Sequence, residues 1–308
     1  MTTTANIIET HGLCKHFGRR QAVADLDLSV PRGCAFGFLG HNGAGKTTVI
    51  RMLLGLTRAD AGTMRILGRP VPAERAAALA RVGAIVEEPN FHRHLTGREN
   101  LRVSAAARGP DARRRIDAAL RRVGLSERAD ERVRSYSQGM RQRLGVARCL
   151  LADPELLILD EPMNGLDPGG ILELRTMIAR LTGEGRTVFL SSHLLDEVEK
   201  TCDAAAVIDQ GRLVAQGPIS ELVGGALELD IGCDSPRLAL DLLDGDPAIA
   251  TARQTADGLR IRLAGADGVA SINERLVAAG IGVFRLAPVR ESLEQRFLEI
   301  TSRVGGQS

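Results

Sequence analysis

Short β-branched or apolar runs alternate with longer helical patterns from the start of the chain to about residue 220, the order expected of a parallel sheet flanked by helices. Cys34 to Leu39 and Leu156 to Leu159 are near-continuous apolar runs, which predicts strands buried on both faces at the centre of that sheet. Ala22 to Val30 alternates instead, with Val23, Leu26, Leu28 and Val30 separated by Asp25, Asp27 and Ser29, so it predicts one half-buried antiparallel strand. From Thr96 to Arg134 strand signals vanish. Thr96 with Glu99 predicts a capping box, and Ile116, Ala119, Leu120 and Val123 share one helical face, so a helical insert of about residues 96–150 is expected. Past Gly224 the texture changes again. Leu227 to Ile231, Leu238 to Leu243, Ile249 to Gln254, Leu259 to Leu263, Val269 to Ala279 and Ile281 to Leu286 read as strand, helix, strand, strand, helix, strand. A helix from Ser292 to about Thr301 follows, carrying Leu293, Phe297 and Ile300 as packing residues. The pattern predicts a first domain over 1–224, a junction at Gly224-Gly225 and a small βαββαβ α+β domain over 225–308.

Composition narrows the classes of function. The 308 residues are 44% hydrophobic and 25% charged, enough for one or two globular domains and too apolar for a disordered chain. Forty Lys plus Arg against 38 Asp plus Glu leave a formal charge of +2, which argues against a nucleic-acid partner. Residues 108–134 hold nine arginines and five acids, but Asp111/Arg115, Arg113/Asp117 and Asp117/Arg121 fall at i,i+4, the mark of a solvated helix face. The five cysteines are scattered, which speaks against a disulfide framework or a structural zinc site. No run approaches the ~18 apolar residues of a spanning helix, and none resembles a secretory leader. A cytoplasmic protein that reaches a membrane through a partner is the expectation.

The chemistry sits at the ends of the apolar runs. Gly40-His41-Asn42-Gly43-Ala44-Gly45-Lys46-Thr47 fits G-x-x-x-x-G-K-[ST] after the strand ending at Leu39 and before a helical stretch from Thr48 to Leu56. Such a loop turns backbone N–H groups onto phosphate oxygens, with Lys46 reaching the β and γ phosphates and Thr47 offering its hydroxyl to Mg2+. Lysine is rare here, three of the 40 basic residues, and a compact point charge suits that position. Leu156 to Leu159 runs into Asp160 and Glu161 at the strand edge where open parallel sheets bind ligands. Asp160 suits the Mg2+ shell, and Glu161 suits orienting or deprotonating an attacking water.

Ser135-Tyr136-Ser137-Gln138-Gly139-Met140-Arg141-Gln142-Arg143 then resembles the signature sequence of ATP-binding cassette (ABC) proteins, followed by a helix from Met140 to Leu151. Over about the first 220 residues six motifs stand in that family's order. The resemblance implies a P-loop NTPase of the ABC type: a mixed, mainly parallel α/β sheet with an antiparallel subdomain and a helical insert. It implies that Phe17 stacks on adenine and that Gly40 to Thr48, with Thr48 included, bind ATP. It also implies that Asp167 belongs to the D-loop and that His193, after Val188 to Ser192, touches the γ phosphate. Ser137, Gln138, Gly139 and Met140 would act on nucleotide held by a second copy.

Two departures stand out. The glutamine that members use to contact Mg2+ or water falls on Glu87, a carboxylate that adds negative charge beside a triphosphate. Similar Glu-containing segments are familiar in the branch resembling drug-export and peptide-antibiotic immunity ATPases. Gln138 also stands where Gly is commoner. The implied machine is a head-to-tail homodimer with ATP between Lys46 of one copy and Ser137 of the other. By the same resemblance a separate transmembrane permease docks near Glu87 to Arg98, where Phe91, His92 and His94 would line a groove, and keeps the chain peripheral on the inner face of the membrane. The expected function is ATP hydrolysis, with Mg2+, driving export of a drug or peptide antibiotic. The alternatives are a soluble ABC protein acting as a nucleotide-dependent switch and a sensor in which Glu87 has stopped turnover.

Overall fold

A computed structural model describes residues 6–223, 228–263, 268–289, 293–294 and 296–297. The chain divides between Pro218 and Ile219 into two compact units; the Gly224-Gly225 step lies outside the described residues.

The first unit holds two sheets. The larger runs in the order Arg212–Pro218, Ala204–Asp209, Ala35–Leu39, Thr187–Ser192, Leu156–Leu159, Val82–Ile85. All neighbours in it are parallel except the first pair. The Ala35–Leu39 strand lies inside, while Leu156–Leu159 is second from the edge, with Thr187–Ser192 between the two. Phe36 and Phe38 close on Phe189, with ring centroids 5.9 and 5.5 Å apart, and form the aromatic middle of the core.

The smaller sheet is antiparallel, built on Asn6–Phe17 with Arg20–Leu26, Ser29–Pro31, Ala61–Ile66 and Arg69–Val71. The single strand expected over Ala22–Val30 is therefore two. Buried Thr10 makes the break: its Oγ1 donates to Leu26 O at 2.8 Å and accepts Leu28 N–H at 2.9 Å, while Asp27 Oδ1 accepts Gly12 N–H at 2.7 Å. These side chains take ladder bonds that a continuous strand would use.

In the helical insert the capping box of Thr96 and Glu99 opens the helix Gly97–Ala106. The arginine-rich stretch is two short helices, Pro110–Arg114 and Ile116–Arg122, and its Asp111, Arg113, Arg114, Asp117 and Arg121 are exposed, as expected of a solvated face. Asp117 ion-pairs across to Arg98, which also meets Asp130 at 2.9 Å, and Arg115 Nη1 donates to Leu151 O at 3.3 Å. Asp117 and Arg115 take tertiary partners in place of the expected i,i+4 ones, while Asp111 keeps a local partner, Arg114 at 3.5 Å.

The second unit runs strand, helix, strand, strand, helix, strand: Glu228–Cys233, Pro236–Leu243, Ile249–Thr255, Gly258–Leu263, Val269–Ala278, Val283–Val289. Its sheet is antiparallel throughout. Leu229, Ile231, Leu259 and Ile261 meet Leu243, Ile272 and Leu276 of the helices in its own core. The other face is ionic, with Asp230 beside Arg285 at 3.3 Å and Glu228 beside Arg262 at 3.0 Å. Leu293 and Phe297 are buried; of the helix expected over 292–301, Ser292, Gln295 and residues 298–301, Ile300 included, lie outside the described residues. Among the described residues no helix is long and apolar enough to cross a membrane.

Candidate nucleotide site

Parallel neighbours point the same way, so four strands of the large sheet deliver their C-terminal ends to one edge. Gly40 follows Leu39, Asp160 and Glu161 follow Leu159, His193 follows Ser192, and Glu87 stands two residues beyond Ile85. The glycines set the loop. Gly43 (φ +84°) and Gly45 (φ +110°) take left-handed backbone, and a Cβ at Gly45 would lie 2.5 Å from Ala22 O. The helix Lys46–Leu53 begins directly after Gly45, two residues earlier than the Thr48 start expected, so the amides of its first turn open at the loop. Gly211 N–H donates to Ala44 O at 2.9 Å and Arg20 Nη2 to Gly43 O at 3.1 Å, holding the loop from outside.

Lys46 is 6% exposed, and a buried ammonium must spend its donors. Its Nζ donates to Gly40 O at 2.6 Å and His41 O at 3.2 Å, and lies 3.2 Å from Glu161 Oε1. The other oxygen of Glu161 is 2.9 Å from His193 Nδ1. Glu161 itself sits at φ +46°, a strained position for a non-glycine residue, and its N–H donates to Ser191 Oγ at 2.9 Å. The same hydroxyl donates to Asp160 Oδ1 at 2.5 Å. Ser191 thus orients both strand-end acids from an adjacent strand.

Phe17, Arg20, Asn42, Lys46, Thr48 and Glu161 line a cavity of about 460 Å3, with Gly43, Gly45 and Thr47 on its wall. Phe17 is 53% exposed at its rim, with Lys15 Nζ 5.3 Å from the ring centroid. Beside it a second cavity of about 270 Å3 is shared by Thr47, Glu87, Asp160, Glu161 and Gln138. Mg2+ keeps several waters and takes only one or two protein ligands besides phosphates. A hydroxyl at Thr47 and a carboxylate at Asp160 facing one cavity fit that demand, and Ser191 engages only Oδ1 of Asp160.

Of the residues expected to act on a second copy's nucleotide, Gln138 lines the second cavity of this same chain, and Ser137, Gly139 and Met140 do not. Ser137 caps the helix Gln138–Leu150 and accepts Met140 N–H at 3.2 Å, and Asp167 caps Pro168–Gly183, accepting Gly170 N–H at 2.9 Å. No hydrogen bond or ion pair among the described residues joins Ser137, Gly139, Met140 or Asp167 to Lys46, Glu161 or His193. Gln138 bends back instead: its Nε2 donates to Asn164 O at 3.1 Å. His92 and His94 stack edge to face at 5.9 Å on the segment that Asn100 and Arg148 hold, through His92 N–H to Asn100 Oδ1 and Arg148 Nη1 to Asn90 O.

Ser191, Arg20, Gly211 and Arg51 contribute without having been expected. The serine pair Ser191-Ser192, closing the apolar run Val188-Phe189-Leu190, was the one readable signal. Arg51, one helical turn after Thr47, ion-pairs with Glu87.

A family model described as ABC transporter matches residues 23–164. The chain is 39% identical over 297 residues to an ABC transporter ATP-binding protein of Bacillus subtilis, YhcH, covering 96% of each. The chain belongs to the ABC transporter ATP-binding family. It is 38% identical over 304 residues to the bacitracin transport ATP-binding protein BcrA of Bacillus licheniformis, covering 98% of each. Among solved structures it resembles an ATP-binding subunit of an ABC transporter, with 30% identity and a TM-score of 0.63 over 70% of this chain and 91% of that one. A dimeric ATP-binding cassette bound to ADP and Pi shares the fold at 20% identity and a TM-score of 0.61, covering 69% of this chain and 98% of that one. The α/β cassette and ATP hydrolysis are properties of the family, and ABC ATP-binding domains pair with one another and with membrane permeases.

Proposed function

We propose that this chain is the ATP-hydrolysing subunit of an exporter whose cargo is a peptide antibiotic or related drug. The observation that carries the reading is the carboxylate of Glu161, which bridges buried Lys46 at 3.2 Å and His193 at 2.9 Å. A triphosphate seated on the loop competes for the Lys46 ammonium and releases Oε1 of Glu161 toward water, while His193 keeps Oε2 in place. Glu161 then orients the attacking water and accepts its proton, and His193 steadies the phosphate that leaves. Phe17 stacks on the base, and the first-turn amides with Lys46 grip the β and γ phosphates. Thr47 and Asp160, with Glu87 at the rim, would hold Mg2+, which supplies charge neutralisation on the phosphate oxygens when bound. Ser137 and Gly139 of a second copy complete the clamp, so nucleotide binding closes a homodimer and hydrolysis opens it. The segment at Phe91, His92 and His94 receives the permease, which keeps the chain on the inner face of the membrane. The peptide-antibiotic cargo is supported by the name of the BcrA relative.

The Glu161→Gln protein is expected to run as a dimer on gel filtration at saturating ATP and as a monomer without it. A monomer under both conditions would refute the paired mechanism. Stimulation of ATPase activity by bacitracin in vesicles that also contain the permease tests the cargo, and an unresponsive rate refutes it.

A further inference from the structure

Four carboxylates, Glu87, Glu88, Asp160 and Glu161, line the cavity next to the phosphate loop with a single cation among the described residues, Arg141, whose Nη1 is spent on Tyr136 O at 2.6 Å, and a triphosphate brings still more negative charge. Two of them have counterparts in the network already described: Lys46 answers Glu161, and the Ser191 hydroxyl answers Asp160. Glu87 is answered from the loop's own helix. Arg51 lies four residues after Thr47, on the same helical face, and its guanidinium ion-pairs with Glu87 Oε1. Glu87 takes left-handed backbone at φ +62°.

We propose that Arg51 is a positioning residue whose task is to screen Glu87, so that a glutamate at this point of the cavity does not repel bound nucleotide. This rests on the cavity pair taking MgATP. The pair is not there for the fold. Its partners are 45% and 65% exposed, and ion pairs that exposed contribute little to stability. What the pair controls is local charge. With Arg51 present Glu87 acts as half of a neutral pair, and without it a full negative charge stands at the rim. Removing Glu87 then makes Arg51 dispensable, so the cost of losing Arg51 must vanish once Glu87 is neutral.

The test is a double-substitution cycle in the full chain: Arg51→Gln, Glu87→Gln and both together. The readouts are equilibrium affinity for a fluorescent N-methylanthraniloyl ATP, with Mg2+ and with chelator, and the melting temperature without nucleotide. Arg51→Gln is expected to weaken binding about five-fold, the effect of one uncompensated unit charge at partial screening. The loss shrinks in raised salt. In the Glu87→Gln background Arg51→Gln costs less than about two-fold, measured against Glu87→Gln alone, and Arg51→Gln leaves the melting temperature unchanged. The proposal is overturned if Arg51→Gln costs nothing, or if its cost is the same with and without Glu87→Gln, which would mean that Arg51 acts on the nucleotide or the fold directly. Lys46→Ala in the same assay separates the two levels. If it abolishes binding and the cycle shows no coupling, only the Arg51 assignment fails; if it binds like the unaltered chain, the nucleotide reading fails with it.

Discussion

Both units cover a sheet with helices, yet only one concentrates chemistry. In the first unit the strands Ala35–Leu39, Thr187–Ser192, Leu156–Leu159 and Val82–Ile85 are parallel neighbours, so the loops after them meet at a single edge. Lys46, Glu161, His193, Asp160 and Glu87 gather there from segments far apart in the chain. In the second unit every pairing is antiparallel, so the strand ends divide, Glu228–Cys233 and Ile249–Thr255 ending at one edge and Gly258–Leu263 and Val283–Val289 at the other. Its charges instead neutralise one another across the sheet face, Asp230 with Arg285 and Glu228 with Arg262. Strand direction, more than composition, is what brings the chemistry-bearing strand ends of the first unit to one edge.

The contrast can be broken by substitutions placed in one unit and read in both. The largest effect is expected from Glu161→Gln, which should lower ATP turnover about a thousand-fold, in the range for loss of a general base, while nucleotide binding persists. Steady-state phosphate release measures the first and calorimetry the second. Lys46→Ala should weaken nucleotide binding by about a hundred-fold or more, because a buried charge-assisted contact to phosphate is lost, with the second unit unaffected. Gly258→Ala is the reciprocal case. Its Cβ would lie 1.8 Å from Ile231 O, so it should destabilise the second unit by about 2 kcal/mol in a melting experiment and leave ATP affinity within about two-fold. A loss of ATP binding there would mean the two units are energetically one. The smallest effect belongs to Phe17→Ala at the exposed rim, about five-fold in nucleotide affinity with turnover at saturation unchanged.

Much of this was readable because local spacing carries it. The loop glycines, the acids after an apolar strand and the Thr96 capping box each depend on neighbours within a few positions. Partners across the chain were not readable. Asp117 has arginines at i−4 and i+4, yet it pairs with Arg98, which the separate helix Gly97–Ala106 brings to it. The alternation over Ala22–Val30 predicted one strand, and Thr10, more than ten residues upstream, divides it. Glu87 was visible as a departure, whereas Arg51 carried no sign of being its counter-ion.

The amino-acid order alone determined which groups this protein possesses and which of them open helices, end strands or bend the backbone, since those outcomes follow from steric and hydrogen-bonding preferences over one or two turns. Only the tertiary structure decided how the groups are combined. Lys46, Glu161 and His193 come from three strand ends. Their convergence follows from parallel strand order, and parallel order is set by burial of the whole sheet and not by any short segment.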